Sequence, residues 1–507
     1  MRFFKHVLIL IGICLVGFGV ILPHLLTGMP VPPEIWIFST TRETGSGFHL
    51  IPILNGTALN GVNPIQLFLL SFIPDNYVML FRVIPAIEAA ILAASVYGFV
   101  SSIKDFKTGF LAAVLSVTSY GFFAVFEHFD LSAFPITMSV CAYLLFSATY
   151  LKNGKGAGYI FSYILAGLAV ISGGISYLVF FVLSSVALIL LDLAPERLLK
   201  IKPGWFLAIA ITLITAFSIT FRITGGSGYV SGILFAGHRE GFFLSLWDMI
   251  KFNLPWIFLL IPAWIKSDSP DAWASWRSML PAKIAITVAF LMTWLIKTDT
   301  PQFAFIAVPF ACILSGAWIS NGIEKEKGML ASLPVLLSGI IIIAASLVYF
   351  VSGAITDREV SVVELLVFGV LVLTFVLMLL TVKRKSYTES VLLGIIAAVV
   401  FSFFAITHGA HRHTDAPAKF FSSFVSAAPV VVYENDLTTR GYLSYSGRKA
   451  FVVKKDFVPF GAEVLLALQS CNIKKELKRL NKIANASLVS SSNDGGNYAV
   501  VVLKPLQ

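Results

Sequence analysis

Apolar runs of 18 or more residues, the length that a membrane-spanning helix needs, recur along the first 407 positions of this chain. Each run is long enough to cross the ~30 Å hydrocarbon core of a bilayer as a helix. Hydrophobic residues make up 57% of the 507 residues and charged residues 13%, and a soluble domain has too little interior to bury so much apolar surface. The sequence therefore predicts an α-helical polytopic membrane protein.

The apolar pattern predicts about thirteen transmembrane helices. The stretch 157–192 is too long for one crossing, breaks at Gly173-Gly174 and has basic residues on both flanks, so we interpret it as a hairpin of two spans. The N-terminal apolar run is too long for a signal peptide and is predicted as the first span. The predicted spans are 7–26, 79–100, 108–124, 132–151, 157–173, 175–192, 204–222, 254–265, 284–296, 302–320, 331–352, 362–382 and 389–407.

The positive charge is distributed unevenly between the two sides of these spans. With the N-terminus inside, the predicted cytoplasmic segments hold 17 lysines and arginines, and the predicted outer segments hold seven. This is the positive-inside asymmetry, so the net charge of +10 requires no nucleic-acid partner. An odd number of spans places residues 408–507 outside the cytoplasm. The sequence carries no eukaryotic retention signal, which favours a bacterial inner membrane.

The composition changes after residue 407, which predicts a membrane domain over 1–407 and a small extracytoplasmic α/β domain over 408–507. Valine- and tyrosine-rich stretches predict strands, and a segment with a basic face predicts one helix over Glu463–Ala484. The predicted strands are Pro429–Tyr433, Ala450–Val453, Ser487–Ser490 and Tyr498–Leu503.

Two long loops are predicted on the outer side, over about 27–78 and 224–253. Both mix aromatic and aliphatic residues with a few charges, unlike flexible polar linkers. We expect such loops to form short amphipathic helices on the membrane surface and to enclose a cavity. The run Asn63–Ile73 is one candidate for such a helix.

Ionisable residues collect at this outer side, where they are candidates for a functional site. The alternative for each residue alone is that it ends a helix and meets water. Cations and carboxylates together on one side favour a single site. These candidates are Glu34, Arg82, Asp130, His238, Arg239 and Lys297.

The order of several short motifs resembles that of the GT-C glycosyltransferases of the aminoarabinose-transferase and protein O-mannosyltransferase type. The resemblance covers most of the chain. It includes an acidic residue that opens the first outer loop, a later segment in the place of the family's Arg-Leu-Pro, a second acidic residue before the fourth span and a Leu-Pro-Trp at the entry to a later span. The matching residues are Glu34, Ser46-Gly47-Phe48, Pro52, Asn55-Gly56, Asn63-Pro64, Arg82-Val83-Ile84-Pro85, Asp130, Leu254-Pro255-Trp256, Lys297 and residues 433–448.

The resemblance implies transfer of a sugar from a polyprenyl-phosphate donor to a lipid, glycan or protein acceptor at the extracytoplasmic face. A carboxylate is needed to take the proton of the acceptor hydroxyl, and Glu34 is the first candidate, with Asp130 orienting the acceptor. The leaving phosphate needs preorganised cations, and the outer side offers Arg82, Arg239 and Lys297.

His238 is a further candidate for the phosphate, and Glu43 and His49 share the first outer loop without an assigned role. We expect inversion at the anomeric carbon and no cofactor or metal, since no Asp-x-Asp pair or four-ligand set of Cys and His is found in the sequence. Where the family carries Lys-Pro-Pro, this chain has Val62-Asn63-Pro64, so one cation near the donor phosphate is absent.

Two other classes of function remain open at this point. A transporter or flippase of a glycolipid would place ionisable residues near mid-membrane on broken helices, often in repeated halves. The predicted spans carry few such charges, Glu88 being the clearest, and the sequence shows no internal repeat. A non-catalytic scaffold with the same fold is the second alternative.

Overall fold

Long apolar helices make up most of the structure, a computed structural model of the chain. The structure describes residues 64–72, 83–126, 132–152, 156–192, 241–266, 273–295, 302–321, 329–355, 362–409, 430–433, 451–453, 464–469, 485–492 and 498–504. It also describes single residues and short pieces at 9, 11–15, 17, 37, 40–41, 53–54, 57–58, 201, 204, 206, 208, 212, 439, 477–478 and 480–481.

The helices of the described residues follow the apolar runs of the sequence. A short helix comes first, and the membrane helices follow it along the chain. They are α1 Pro64–Leu70, α2 Val83–Ile103, α3 Phe106–Val117, α4 Tyr120–Phe126, α5 Ala133–Leu151, α6 Gly156–Gly173, α7 Ile175–Asp192, α8 Phe242–Phe252, α9 Ile257–Lys266, α10 Trp273–Leu295, α11 Gln302–Asn321, α12 Met329–Ile355, α13 Val362–Lys383 and α14 Tyr387–Gly409.

Seven helices in the described part of the chain are long and apolar enough to cross a membrane, which makes the protein a multi-pass membrane protein. Two bent pairs raise that number to nine if each pair is one span: α3 with α4, bent by 60°, and α8 with α9, bent by 102°. Shorter apolar segments lie in α12 and α14. The predicted number of thirteen stays a prediction, because the spans 7–26 and 204–222 lie largely outside the described residues.

The centre of the bundle is α11, of whose spanning segment 94% is buried, whereas 17% of the segment in α13 is buried. Close approach holds α11 in place, since a Cβ atom added to Gly316 would lie 2.8 Å from the backbone nitrogen of Ala112 in α3. Small residues at such crossings let helix backbones pack against each other without a side chain between them. The α11 helix is therefore the core around which α3, α9 and α10 pack.

The predicted hairpin within 157–192 is confirmed. Helix α6 ends at Gly173 and α7 begins at Ile175, with Gly174 between them at a φ of 95°. That backbone conformation is favourable for glycine and costly for other residues. The break that the Gly-Gly pair predicted in the sequence is therefore where the chain turns back.

The predicted span 284–296 was too short, because α10 begins at Trp273. Arg277 and Lys283 made the preceding segment resemble a loop. In the structure Arg277 pairs with Asp192 at the end of α7, and Lys283 lies with its Nζ 5.3 Å from the centre of the Trp264 ring. Both cations are thus accommodated within a helix that the charge pattern had cut short.

The strands are β1 Ile53–Leu54, β2 Thr57–Ala58, β3 Val430–Tyr433, β4 Phe451–Val453, β5 Val464–Gln469, β6 Asn485–Ser492 and β7 Tyr498–Lys504. The last five form a mixed sheet with the order β4-β3-β5-β7-β6. Strand β3 pairs in parallel with β4 and β5, and β7 pairs antiparallel with β5 and β6. All four predicted strands are present. A small earlier hairpin joins β1 to β2.

The predicted helix over Glu463–Ala484 is wrong at its start, where β5 runs through the middle of the sheet. Leu465, Leu466 and Ala467 are buried. A strand covered on both faces reads as a continuous apolar run, which periodicity alone does not distinguish from a buried helix. Helical residues in the described part of this segment appear from Leu477 onwards.

The chain divides into two compact units. The first comprises Met1–His24, Val83–Glu127 and Leu131–Thr407, and the second comprises Leu25–Arg82, His128–Asp130 and His408–Gln507. The first unit holds the helix bundle. The second holds β1, β2, the C-terminal sheet and α1, which confirms the short helix predicted within Asn63–Ile73. The predicted boundary at residue 407 stays a prediction.

Candidate functional site at the broken helices

The predicted site residues lie outside the described part of the chain. The helices that flank these positions in sequence are described, and they show how that side of the bundle is built. The residues outside the described ranges are Glu34, Glu43, His49, Arg82, Asp130, His238, Arg239 and Lys297.

The helix ends of α5, α6, α7 and α11 meet at one end of the bundle, which the charge pattern predicts to be the outer end. A Cβ atom added to Gly173 would lie 2.5 Å from Cβ of Pro135 and 2.3 Å from the Tyr177 ring. The Tyr177 hydroxyl donates a hydrogen bond of 2.6 Å to Oε1 of Gln302, and its ring lies 5.4 Å from that of Phe303. In sequence, Asp130 precedes α5 and Lys297 precedes α11.

The beginning of α8 packs against the last turns of α10. The ring of Phe242 lies 5.5 Å from that of Phe290 and 5.5 Å from that of Trp294, edge to face in both cases. Phe242 is three residues after Arg239 in sequence, and Trp294 is three residues before Lys297. Two of the predicted phosphate-binding cations are therefore each three residues in sequence from a residue of one aromatic contact.

The first helix break separates α3 from α4 at Thr118 and Ser119. The Thr118 hydroxyl donates to the carbonyl oxygen of Val114 at 2.8 Å, and the Ser119 hydroxyl donates to the carbonyl of Ser116 at 2.7 Å. The Ser119 hydroxyl also accepts the N–H of Phe122 at 3.4 Å, as an N-cap residue does at a new helix start. The hydroxyl groups thus add bonds to backbone groups at the 60° bend, where the Val114 carbonyl also accepts the Thr118 N–H at 3.1 Å and the Ser116 carbonyl accepts the Ser119 N–H at 3.2 Å.

The second break separates α8 from α9 over residues 253–256. The amide Nδ2 of Asn253 donates to the carbonyl of Met249 at 2.7 Å, and its buried Oδ1 has no hydrogen-bond partner among the described residues. The peptide bond between Leu254 and Pro255 is cis. Trp256 follows, and α9 starts at the next residue, as the Leu-Pro-Trp motif predicted.

The two breaks contact each other directly, and we call the eight residues that form this contact the helix-break joint. The N–H of Tyr120, at the start of α4, donates to the carbonyl of Leu254, past the end of α8, at 2.8 Å. Nε1–H of Trp256 donates to the hydroxyl oxygen of Thr118 at 3.0 Å. The joint comprises Thr118, Ser119, Tyr120, Gly121, Phe252, Asn253, Leu254 and Trp256.

Packing makes the helix-break joint tight. The rings of Tyr120 and Phe252 stack with centres 6.1 Å apart. A Cβ atom added to Gly121 would lie 2.9 Å from the Phe252 carbonyl oxygen and 3.0 Å from Cγ2 of Val308 in α11. A residue larger than glycine would push α4 away from α8. Irregular backbone at membrane depth is tolerated where protein buries it or where it lines a cavity.

The opposite end of the bundle is tied by charge. Nε and Nη2 of Arg277 donate to the two carboxylate oxygens of Asp192 at 2.5 and 2.8 Å. A second carboxylate, that of Asp105, accepts the Thr108 N–H at 2.8 Å and caps the start of α3. Burial lowers the pKa of Lys104, and the adjacent Asp105 carboxylate partly offsets this.

The sequence contained the signals for the helix-break joint, but their partners were not apparent. Leu254-Pro255-Trp256 predicts the entry to a span. Thr118-Ser119 and Gly121 interrupt an apolar run and are typical of a helix break. Which break contacts which depends on the tertiary structure, because the contacting residues are far apart in sequence. Among the described residues, no group of three or more His, Cys, Asp or Glu is placed to hold a metal ion.

No protein-family model matches the sequence, and no curated protein matches it significantly. Solved structures match over the whole chain. ArnT from Cupriavidus metallidurans bound to undecaprenyl phosphate has a TM-score of 0.71 and 13% identity, with 99% of each chain covered. The chain has the GT-C fold. The apo form of the same ArnT gives a TM-score of 0.72 at 13% identity, with 100% of each chain covered.

The archaeal oligosaccharyltransferase AglB from Archaeoglobus fulgidus, in complex with an inhibitory peptide and a dolichol-phosphate, also matches. It does so with a TM-score of 0.48 and 11% identity, over 89% of this chain and 64% of the other. The ArnT match confirms the predicted fold class, a helical GT-C-like membrane protein with a small C-terminal sheet. The residues predicted for the site stay predictions.

Proposed function

We propose that this protein is a glycosyltransferase that moves a sugar from a polyprenyl-phosphate donor to a lipid, glycan or protein acceptor at the extracytoplasmic membrane face. The observation that carries the proposal is the match to ArnT in its structure with bound undecaprenyl phosphate. The match covers 99% of both chains. The order of motifs in the sequence supports the same reaction class independently of the fold.

The proposed phosphate site uses the cations that flank α8, α10 and α2. Arg239 and Lys297 are each three residues from the contact between Phe242 and Trp294, so chain length keeps each Cα atom within about 11 Å of that contact's residues. Arg82 immediately precedes α2. Guanidinium groups pair phosphate oxygens in a bidentate fashion, and the negative charge on the leaving phosphate grows as the glycosidic bond breaks. His238 contributes a further donor.

The proposed chemistry is a single displacement. The acceptor oxygen attacks the anomeric carbon, its proton passes to the carboxylate of Glu34, and the bond between the anomeric carbon and the phosphate oxygen breaks with its electron pair left on the phosphate. Asp130 orients the acceptor, and Glu43 and His49 are further candidates for the substrate pocket. One displacement inverts the anomeric configuration. The phosphate is a good leaving group without a metal ion or a separate acid.

The proposed location is a bacterial inner membrane, with the N-terminus in the cytoplasm and residues 408–507 on the outer side. The distribution of lysine and arginine supports this orientation. A donor carried on a polyprenyl lipid diffuses in the bilayer and presents its phosphate at the membrane surface. An enzyme whose predicted cations lie at one end of a helix bundle suits such a donor.

The test is sugar transfer by purified protein from undecaprenyl-phosphate-linked hexoses and aminopentoses to lipid, glycan and peptide acceptors. Wild type is compared with Glu34→Ala and Asp130→Ala. Glu389→Gln is the matched control, because Glu389 is an exposed carboxylate at the start of α14. Thermal unfolding of each variant separates loss of chemistry from loss of folding.

We expect turnover by wild type and the control, and a loss of at least 100-fold in both alanine variants with unfolding unchanged. Activity that survives both substitutions would contradict the proposed carboxylates. Wild-type inactivity across the panel, together with movement of the labelled lipid across reconstituted vesicles, would indicate a flippase instead.

A further inference from the structure

The two helix breaks complement each other in their hydrogen-bonding groups. A helix start leaves N–H groups without intrahelical acceptors, and a helix end leaves carbonyl groups without donors. At the helix-break joint the Tyr120 N–H at the start of α4 bonds the Leu254 carbonyl that follows α8. The residues after α8 therefore supply the hydrogen-bond acceptor that the start of α4 lacks, and the start of α4 supplies a donor for the Leu254 carbonyl.

A second bond locks the same two breaks through side chains. The Thr118 hydroxyl uses its hydrogen for the Val114 carbonyl and accepts the indole N–H of Trp256 with its oxygen. Thr118 and Trp256 are 2% and 3% exposed, so this bond is shielded from competing water. A shielded bond with both groups correctly used fixes orientation more strictly than an exposed one.

Both helices that leave the helix-break joint lead to predicted site residues. Helix α4 has seven residues, so about 10 Å of helix separates the joint from Phe126, and the acidic segment 127–130 follows. Helix α8 has eleven residues, so about 16 Å separates the joint from Gly241, which His238 and Arg239 precede. A rotation of about 10° at the joint would move the far end of α8 by roughly 3 Å.

We propose that the helix-break joint is a positioning element that sets the separation between the end of α4 at Phe126 and the start of α8 at Phe242. Thr118 and Trp256 are its positioning residues. This role rests on the proposed function, in which the carboxylate of Asp130 and the cation of Arg239 serve one reaction. A misplacement of about 1 Å can cost about 100-fold in rate, so a small rotation at the joint is sufficient to suppress catalysis.

The kinetic test uses the full chain in nanodiscs with the undecaprenyl-phosphate sugar that gives turnover. Trp256→Phe keeps an aromatic ring and removes the N–H, Thr118→Val keeps the shape and removes the hydroxyl, and Thr118→Ser retains a hydroxyl. We expect kcat to fall at least tenfold in the first two variants, with donor KM changed less than threefold. Thr118→Ser is expected within twofold of wild type.

Two matched controls separate the joint from a general effect of the same substitutions. Trp318→Phe removes an indole N–H that has no hydrogen-bond partner in the part of the chain that the structure describes. Thr374→Val removes a hydroxyl that bonds its own helix at Val370 in α13. Both are expected within twofold of wild type. The double variant of Thr118 and Trp256 is expected to lose no more kcat than either single variant, because both substitutions remove the same hydrogen bond.

A distance measurement tests the joint without any turnover. Spin labels are placed by Phe243→Cys on α8 and Ile261→Cys on α9, at positions 82% and 57% exposed, in a background without the native cysteines. We expect one narrow distance distribution in the parent and a broader one after Trp256→Phe or Thr118→Val. Trp318→Phe is expected to leave it unchanged.

The outcomes are distinguishable. Unchanged kcat in both Trp256→Phe and Thr118→Val overturns the positioning role. A fall in kcat with an unchanged distance distribution also overturns it, since the residues would then act without moving α8. If wild type shows no transfer at all, the proposed function fails, while the label distances still decide whether the joint fixes the angle between α8 and α9.

Discussion

The two ends of the helix bundle are built by different means. Towards the predicted outer end, and short of it by the lengths of α4 and α8, two helix pairs are broken, and hydrogen bonds between the breaks hold them together. At the predicted cytoplasmic end, α7 and α10 are joined by the ion pair of Asp192 and Arg277, and Asp105 caps α3 after a turn that follows α2. The described helices that reach this end do so without a comparable break.

The difference indicates where the molecule accepts irregular backbone. A broken helix within a membrane leaves polar groups that must be satisfied by protein or by a water-filled cavity. Regular helices tied by charge need no such compensation. The broken end is therefore where we expect substrate to bind, and the regular end is where we expect contributions to stability alone. The following variants test that separation, beginning with the largest expected effect.

Gly121→Ala is expected to affect both stability and catalysis. The added Cβ atom would lie 2.9 Å from the Phe252 carbonyl oxygen, so α4 and α8 must move apart. We expect a loss of about 1–3 kcal/mol in the free energy of unfolding from overpacking and a fall in kcat of about 100-fold. Gly98→Ala is the control, because nothing lies within 4 Å of its added Cβ atom. Equal kcat in both variants would show that the joint does not affect catalysis.

Asp192→Asn is expected to affect stability alone. It removes a charge that accepts two hydrogen bonds from Arg277, and the Asp192 side chain is 2% exposed. We expect a loss of about 2 kcal/mol, measured by chemical unfolding, with kcat of the folded protein within twofold of wild type. Asp248→Asn is the control, since its pair with Lys251, three residues along the same helix at 3.6 Å, contributes about 0.3 kcal/mol. A tenfold fall in kcat for Asp192→Asn would remove the distinction between the two ends.

The smallest expected effect is a dependence of stability on pH at the regular end. Burial lowers the pKa of Lys104 below 10.5, so in the window between its folded pKa and 10.5 the unfolded chain binds more protons. Stability therefore rises with pH through that window as the folded lysine becomes neutral. Lys104→Met should flatten this rise, as measured by unfolding at several pH values. A steeper rise in the variant would contradict the assignment.

Long apolar runs predicted most of the fold, because helix length and bilayer thickness leave few alternatives. The spans 132–151, 157–173 and 175–192 match α5, α6 and α7 within one residue at each end. The bends were missed. Hydropathy averages over a window, and the polar groups that stabilise a break at Thr118 or Asn253 are few and local.

Charge and burial explain the two wrong predictions. Arg277 lies within α10, where Asp192 from another helix compensates it, and a partner distant in sequence is invisible to a local pattern. Strand β5 was predicted as helix because Leu465 and Leu466 belong to an apolar run without alternation. The site residues were predicted from motif order and charge, and Glu34, Asp130 and Arg239 stay predictions.

The most direct measurement is photo-crosslinking with an undecaprenyl phosphate that carries a diazirine next to the phosphate, followed by mass spectrometry of the labelled peptides. It needs neither the sugar nor the acceptor to be known. We predict adducts in the segments that flank the broken helices, over 119–133, 235–252 and 290–303, and displacement by unlabelled undecaprenyl phosphate. Adducts concentrated around Asp192 and Arg277, or spread evenly over all helices, would contradict binding at the broken end.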